Sequence, residues 1–190
     1  MLVERAHEAR QAFAMSTSNE VDVRTPIRAA VITVSDACSR GERKDDSGAA
    51  LVELLEASGA EVVEKGILSD DLEPLVQRLE QIVRRGDVNL IITTGGTGLG
   101  PRDNTPEATL RVIEREAPGI AEAIRAASLR VTPMAMISRG VAGVAGVADA
   151  ASGTLIINLP GSPKAVRESF AVIQPVLAHS VDLLAGNTRH

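Results

Sequence analysis

From Ile27 onward the chain alternates continuous apolar runs with segments whose apolar residues recur every three or four positions. Ile27–Val34 is β-branched and unbroken by charge apart from Arg28, the signature of a strand buried on both faces. A polar loop, Ser35–Asp46, follows. Ser47–Ser58 then places Leu51, Leu54 and Leu55 at helical spacing, with Gly59 as the stop. Ala60–Leu68 returns to strand composition. Ser69-Asp70-Asp71 supplies capping chemistry for a helix over Leu72–Arg85, whose Leu75, Leu79, Ile82 and Val83 share one face. Val88–Thr94 is the next strand, and it runs into the glycine-rich Gly95–Gly100. Thr105-Pro106 opens a helix with Thr105 as cap and Glu107 near the positive end of its dipole. Pro118–Arg130 predicts a further helix. Met134–Ser138 and Gly153–Leu159 predict short strands separated by the Gly/Ala-rich Val141–Ser152, and Ser162-Pro163 starts a last helix to about Leu184. Strands alternating with helices define an α/β protein, a three-layer α/β/α sandwich around a mainly parallel sheet. The reading gives one domain over residues 27–190 and a flexible arm over residues 1–26.

Composition narrows the function. Of 190 residues none is Trp or Tyr and two are Phe, so the core is aliphatic and no aromatic platform exists for stacking nucleic-acid bases. The net charge of −5, with no basic run, argues against a binder of phosphate backbones. Cys38 is the single cysteine, which excludes an internal disulfide and suits the cytoplasm. His7, His179 and His190 lie towards the chain ends and form no spaced cluster for zinc. No apolar run is long enough to span a membrane.

The candidate chemistry lies where strands hand over to helices, the edge at which open α/β sheets hold ligands. Glycines at 95, 96, 98 and 100 let backbone amides approach an anion, and Thr97 adds a hydroxyl. The run ends in Pro101-Arg102-Asp103 and has neither a P-loop Lys-Ser/Thr pair nor dinucleotide spacing. Asp70 and Asp103, each beside a helix start, are helix caps taken singly. Taken together they form a pair able to hold Mg²⁺ beside a phosphate loop. Asp36, Asp45 and Asp46 are weaker candidates for the same cluster and read more simply as a solvated acidic loop. Pro160-Gly161-Ser162-Pro163-Lys164 offers a second anion seat, or an ordinary capped helix with a surface Lys. Arg139 after Ser138 can fork onto a carboxylate or phosphate, or face water.

These residues also carry a resemblance. Thr93–Leu110 (TTGGTGLGPRDNTPEATL) resembles the signature of the molybdopterin adenylyltransferases of molybdenum-cofactor biosynthesis, the MogA/MoaB-like proteins related to the gephyrin G domain. The likeness extends through Val31–Asp36, Asp46-Ser47-Gly48, Met136–Arg139 and Thr154–Val166, nearly all of residues 27–184. It implies a mixed, mainly parallel sheet and a Mg²⁺-dependent transfer of AMP from ATP to molybdopterin with release of pyrophosphate. By motif position it puts the family's two functional aspartates on Asp70 and Asp103, as metal ligands. Gly95, Gly96, Thr97 and Gly98 would meet nucleotide phosphates, and Arg102 and Lys164 would meet developing or departing charge. Ser35, Asp36, Ser138 and Arg139 would line the substrate groove, with Pro160, Gly161 and Ser162 at the second seat. Leu99 and Leu159 would serve as aliphatic walls, and Phe170 as core. The resemblance implies a homotrimer, with hexamers in some members, and a molybdenum-insertion protein downstream. A non-catalytic pterin-binding paralogue or an oligomeric scaffold is the alternative. Residues 147–152 depart from the family pattern as an insertion.

Overall fold

The structure, a computed structural model, describes residues 25–146 and 153–187. Residues 1–24 of the expected arm and the insertion at 147–152 lie outside the described residues. The strands are β1 (Arg28–Val34), β2 (Glu61–Leu68), β3 (Leu90–Thr94), β4 (Arg115–Glu116), β5 (Ala142–Ala145) and β6 (Thr154–Leu159). The helices are α1 (Asp36–Ser39), α2 (Asp46–Ala57), α3 (Leu72–Arg85), α4 (Thr105–Val112), α5 (Pro118–Leu129) and α6 (Pro163–Leu184), with a 3₁₀ helix at Pro133–Ile137. The six strands form one sheet in the order β2-β1-β3-β6-β5-β4. The pairings from β2 to β6 are parallel, and those of β5 with β6 and with β4 are antiparallel.

Alternation along the central strands splits the core in two. Ala29, Val31, Leu90, Ile92, Leu155 and Ile157 pack against Leu51 and Leu55 of α2, Ile124 of α5 and Phe170 and Ile173 of α6. Ala30, Ile32, Val34, Ile91 and Ile156 pack on the other face against Leu75, Leu79 and Ile82 of α3 and Ala108 of α4. Helices therefore cover both faces, giving the expected three layers. Among the described residues no helix is long and apolar enough to cross a membrane.

Two expectations fail around residues 133–145. Met134–Ser138 is not a strand: Pro133 opens a 3₁₀ turn whose cap, Thr132 Oγ1, accepts from Met134 N at 3.3 Å. Most of its side chains point outward, with Met134 and Met136 exposed and only Ala135 buried. The Gly/Ala-rich separator contains the missing strand, β5, whose small side chains fit a crowded place between β6 and β4. A Cβ on Gly143 would stand 2.7 Å from Arg115 O of β4.

Because β1, β2, β3 and β6 run in parallel, their carboxyl ends share one edge. Ser35 and Asp36, Asp70, Gly95–Asp103 and Pro160–Gly161 all follow those ends, so topology alone collects the candidate chemistry.

Candidate active site

A cleft of about 340 Å³ opens at this edge, lined by Ser35, Arg43, Asp70, Gly95–Gly98, Asp103 and Gly161, with Thr33, Val34, Ser47 and Thr94 behind them. The glycine loop forms its floor. Gly95 and Gly96 have φ of 100° and 62°, a left-handed path that a side chain would strain. The Gly96 position is also filled from outside: an added Cβ would collide with Thr105 Oγ1 and lie 3.3 Å from Asp70 Oδ1. Gly161 approaches closely too, 3.1 Å from Gly95 Cα for an ideal Cβ. Thr105 is not the cap of α4. Asn104 holds that position, and the Thr105 hydroxyl donates to Gly95 O at 2.8 Å, pinning the loop to the helix.

The two singled-out aspartates meet in this cleft and are presented alike. Asp70 Oδ2 accepts from Asp36 N at 2.7 Å, and Asp103 Oδ2 accepts from Gly100 N at 2.7 Å. In each, Oδ1 accepts no hydrogen bond among the described residues. Neither aspartate caps a helix through its side chain. Asp71 occupies the cap of α3, and its carboxylate makes no capping bond because it is engaged by Ser69 Oγ at 2.8 Å and Arg102 Nη2 at 3.1 Å. Burial, with the neighbouring charges of Asp36 and Asp103 adding to it, pushes the Asp70 carboxyl up from the usual carboxylate range. No group of three or more Asp, Glu, His or Cys suited to a metal occurs among the described residues.

Asp36 and Arg102 are paired with each other at the cleft rim. Arg102 forks onto Asp36, Nε to Oδ2 at 2.7 Å and Nη2 to Oδ1 at 2.9 Å, and Asp36 Oδ1 also accepts from Asp70 N at 3.1 Å. Arg102 holds the Asp36 carboxyl down to about 2. The charges thus brace the 36, 70 and 102 loops against one another. Arg139 takes the carboxylate option: it pairs with Glu107, donates to Gly98 O at 2.6 Å and bonds Asp103 O, clamping the glycine loop from behind. Lys164 is exposed outside the cleft, with Glu168 at 3.9 Å. Ser162 caps α6, accepting from Ala165 N at 3.1 Å.

A second, apolar pocket of about 250 Å³ adjoins the first at Thr97 and Gly98 and is walled by Ile124, Met134, Ala135, Ile137, Ser138 and Pro160. Leu159, expected as an aliphatic wall, is not among the residues that line it. Leu159 is fully buried in the core, where β6 places it, while Leu99 is exposed.

Arg43 and Ser47 line the cleft although the sequence singled out neither for the site, and Asp45 differs from its expectation. Asp45 is no solvated acid: it is buried, accepting from Thr33 Oγ1 at 2.8 Å, Ser47 Oγ at 3.2 Å and Gly48 N at 2.7 Å. Its place two residues before Ser47-Gly48 is the pattern of a helix cap and was the available signal.

Fold and cleft together define a class: a three-layer α/β protein with a glycine-floored ligand cleft at the carboxyl edge of its sheet. The chain belongs to the family described as a probable molybdopterin binding domain, whose model matches residues 30–179. It is 37% identical over 163 residues to the molybdopterin adenylyltransferase of Helicobacter pylori J99, covering 85% of this chain and 89% of that protein. It is 41% identical over 155 residues to the molybdenum cofactor synthesis protein cinnamon of Drosophila melanogaster, covering 81% of this chain but only 25% of that longer protein. Among solved structures, the molybdopterin biosynthesis enzyme MoaB of Thermus thermophilus superposes with a TM-score of 0.76 at 46% identity, over 84% of this chain and 97% of that one.

Proposed function

We propose that the chain catalyses Mg²⁺-dependent transfer of AMP from ATP to molybdopterin, a step of molybdenum-cofactor biosynthesis. The observation that carries this reading is the pair Asp70 and Asp103, each with an Oδ1 that accepts no hydrogen bond among the described residues, in one cleft over a glycine loop. The Helicobacter pylori relative named molybdopterin adenylyltransferase supports molybdopterin as the acceptor and adenylyl transfer as the reaction. The donor set fits Mg²⁺, a hard ion satisfied by one or two carboxylates, with waters and substrate phosphates completing its shell. Bound there by Asp70 and Asp103, it would neutralise charge on the phosphate oxygens.

The chemistry asked of the protein is mainly placement. The terminal phosphate of molybdopterin attacks the α-phosphorus of ATP in line, the α–β anhydride bond breaks, and pyrophosphate leaves. The Gly95–Gly98 backbone and the Thr97 hydroxyl, which has no protein partner among the described residues, hold phosphate oxygens. Arg139 and Glu107 keep that loop at a fixed height, so no reorganisation is needed as charge develops. The apolar pocket receives a ring without an aromatic partner. The test is pyrophosphate release by the full chain supplied with ATP, Mg²⁺ and molybdopterin. Release that needs all three, with adenylylated pterin as product, is expected. Release independent of molybdopterin would sink the reading.

A further inference from the structure

The cleft holds two carboxylates, yet among the described residues lining it there is one cation, Arg43. The other nearby cations are committed: Arg102 to Asp36 and Asp71, and Arg139 to Glu107 and two carbonyls. Arg43 differs from both. Its Nη2 donates to Ser35 Oγ at 3.0 Å and it neighbours Cys38, but it pairs with no carboxylate among the described residues.

The wall around it is fixed. Ser35 Oγ also accepts from Cys38 N at 3.3 Å, and the buried Asp45 carboxylate holds Ser47 and the first turn of α2 in place. Ser47 lines the same cleft, whose floor is Gly95–Gly98. A guanidinium is ionised at every working pH and presents a planar fork of donors that matches phosphate oxygens. Left without an acid partner at the mouth of an anion-binding cleft, it has donors to give to a ligand.

We infer that Arg43, with the Ser35 hydroxyl beside it, grips a substrate phosphate and positions it over the glycine loop; this rests on the phosphoryl-transfer reading above. Nothing in the sequence marked it, because Arg43 stands in a polar loop among other charges. Both substrates of that reading carry phosphate, so the ligand arms of the experiment separate them.

The experiment is calorimetric titration of the full chain with Mg²⁺ and, separately, ATP, inorganic pyrophosphate and molybdopterin, for wild type, Arg43→Ala, Arg43→Lys and Arg40→Ala. Arg43 is exposed, so its replacement leaves the core intact. Arg40 pairs with Glu42 outside the cleft and serves as a matched loss of charge. Arg43→Ala should weaken at least one phosphate-bearing ligand by about tenfold, with partial recovery in Arg43→Lys and a change within about twofold in Arg40→Ala. Loss confined to ATP and pyrophosphate assigns the nucleotide phosphates to Arg43, and loss confined to molybdopterin assigns its terminal phosphate. Equal losses in Arg40→Ala and Arg43→Ala, or wild-type affinity of Arg43→Ala for all three, would overturn the inference and leave the functional reading standing. A wild-type chain that binds none of them would overturn both.

Discussion

At Gly98 and Gly100 the missing side chain serves a carboxylate rather than a turn. Neither residue has a left-handed backbone, but an ideal Cβ would lie 3.0 Å and 2.7 Å from Asp103 Oδ2. Glycine there keeps the Asp103 carboxylate folded down against its own loop. Gly98→Ala should therefore move that carboxylate by a few tenths of an ångström and cost turnover about tenfold or more, since phosphoryl transfer depends on placement. Stability should stay within about 0.5 kcal/mol of wild type, because the backbone angle suits alanine and the crowding falls on one movable side chain. Single-turnover kinetics together with a denaturant melt would check both halves. Unchanged kinetics would mean that Asp103 is not held where the mechanism needs it. The sequence announced the glycines and the aspartate as a group, through their spacing. It could not announce that Arg102 and Arg139 are braces, because their acids, Asp36 and Glu107, lie 66 and 32 residues away. Charge identity is local information, whereas pairing is set by topology.

Elements were legible to the extent that their periodicity was strong. The helix over Leu72–Arg85 coincides with its expectation, since Leu75, Leu79 and Ile82 form an uninterrupted buried stripe. The run at residues 133–137 misleads because an apolar stretch says nothing about period when most of its side chains face outward, and Pro133 biases it to a turn. β5 is hidden for the converse reason. Ala142, Gly143 and Ala145 carry too little hydrophobicity to read as a strand, yet they suit a strand closely flanked by Ile113 and the paired β4. The last helix, α6, anchors the α2 and α5 side of the core through Phe170, which is 2% exposed. Phe170→Ala should cost ~3–5 kcal/mol by removing a large buried side chain that its neighbours cannot replace. Urea denaturation should report that loss, with ATP affinity at low denaturant unchanged because Phe170 lies outside the cleft. A loss below ~1 kcal/mol would mean that α6 is not the keystone of this layer.

For the molecule as a whole, the near absence of aromatic residues shapes the account. A chain with no Trp or Tyr cannot clamp a nucleobase or pterin between large rings. The architecture supplies a glycine floor, hydroxyls and, among the described residues, one guanidinium without an acid partner on one side, and an apolar pocket on the other. The parallel sheet gathers four strand ends at one edge and places Asp70 and Asp103 there together, from segments that the chain separates by a strand and a helix. The central claim is that this pair of carboxylates is the catalytic centre. Pyrophosphate release from ATP in the presence of Mg²⁺ and molybdopterin, compared between wild type and Asp103→Asn, tests it most directly. The substitution keeps size and an acceptor for the Gly100 amide while removing the charge. The account predicts that Asp103→Asn binds molybdopterin as wild type does, melts as wild type does, and releases pyrophosphate at least ~100-fold more slowly. Release by Asp103→Asn at the wild-type rate would contradict it.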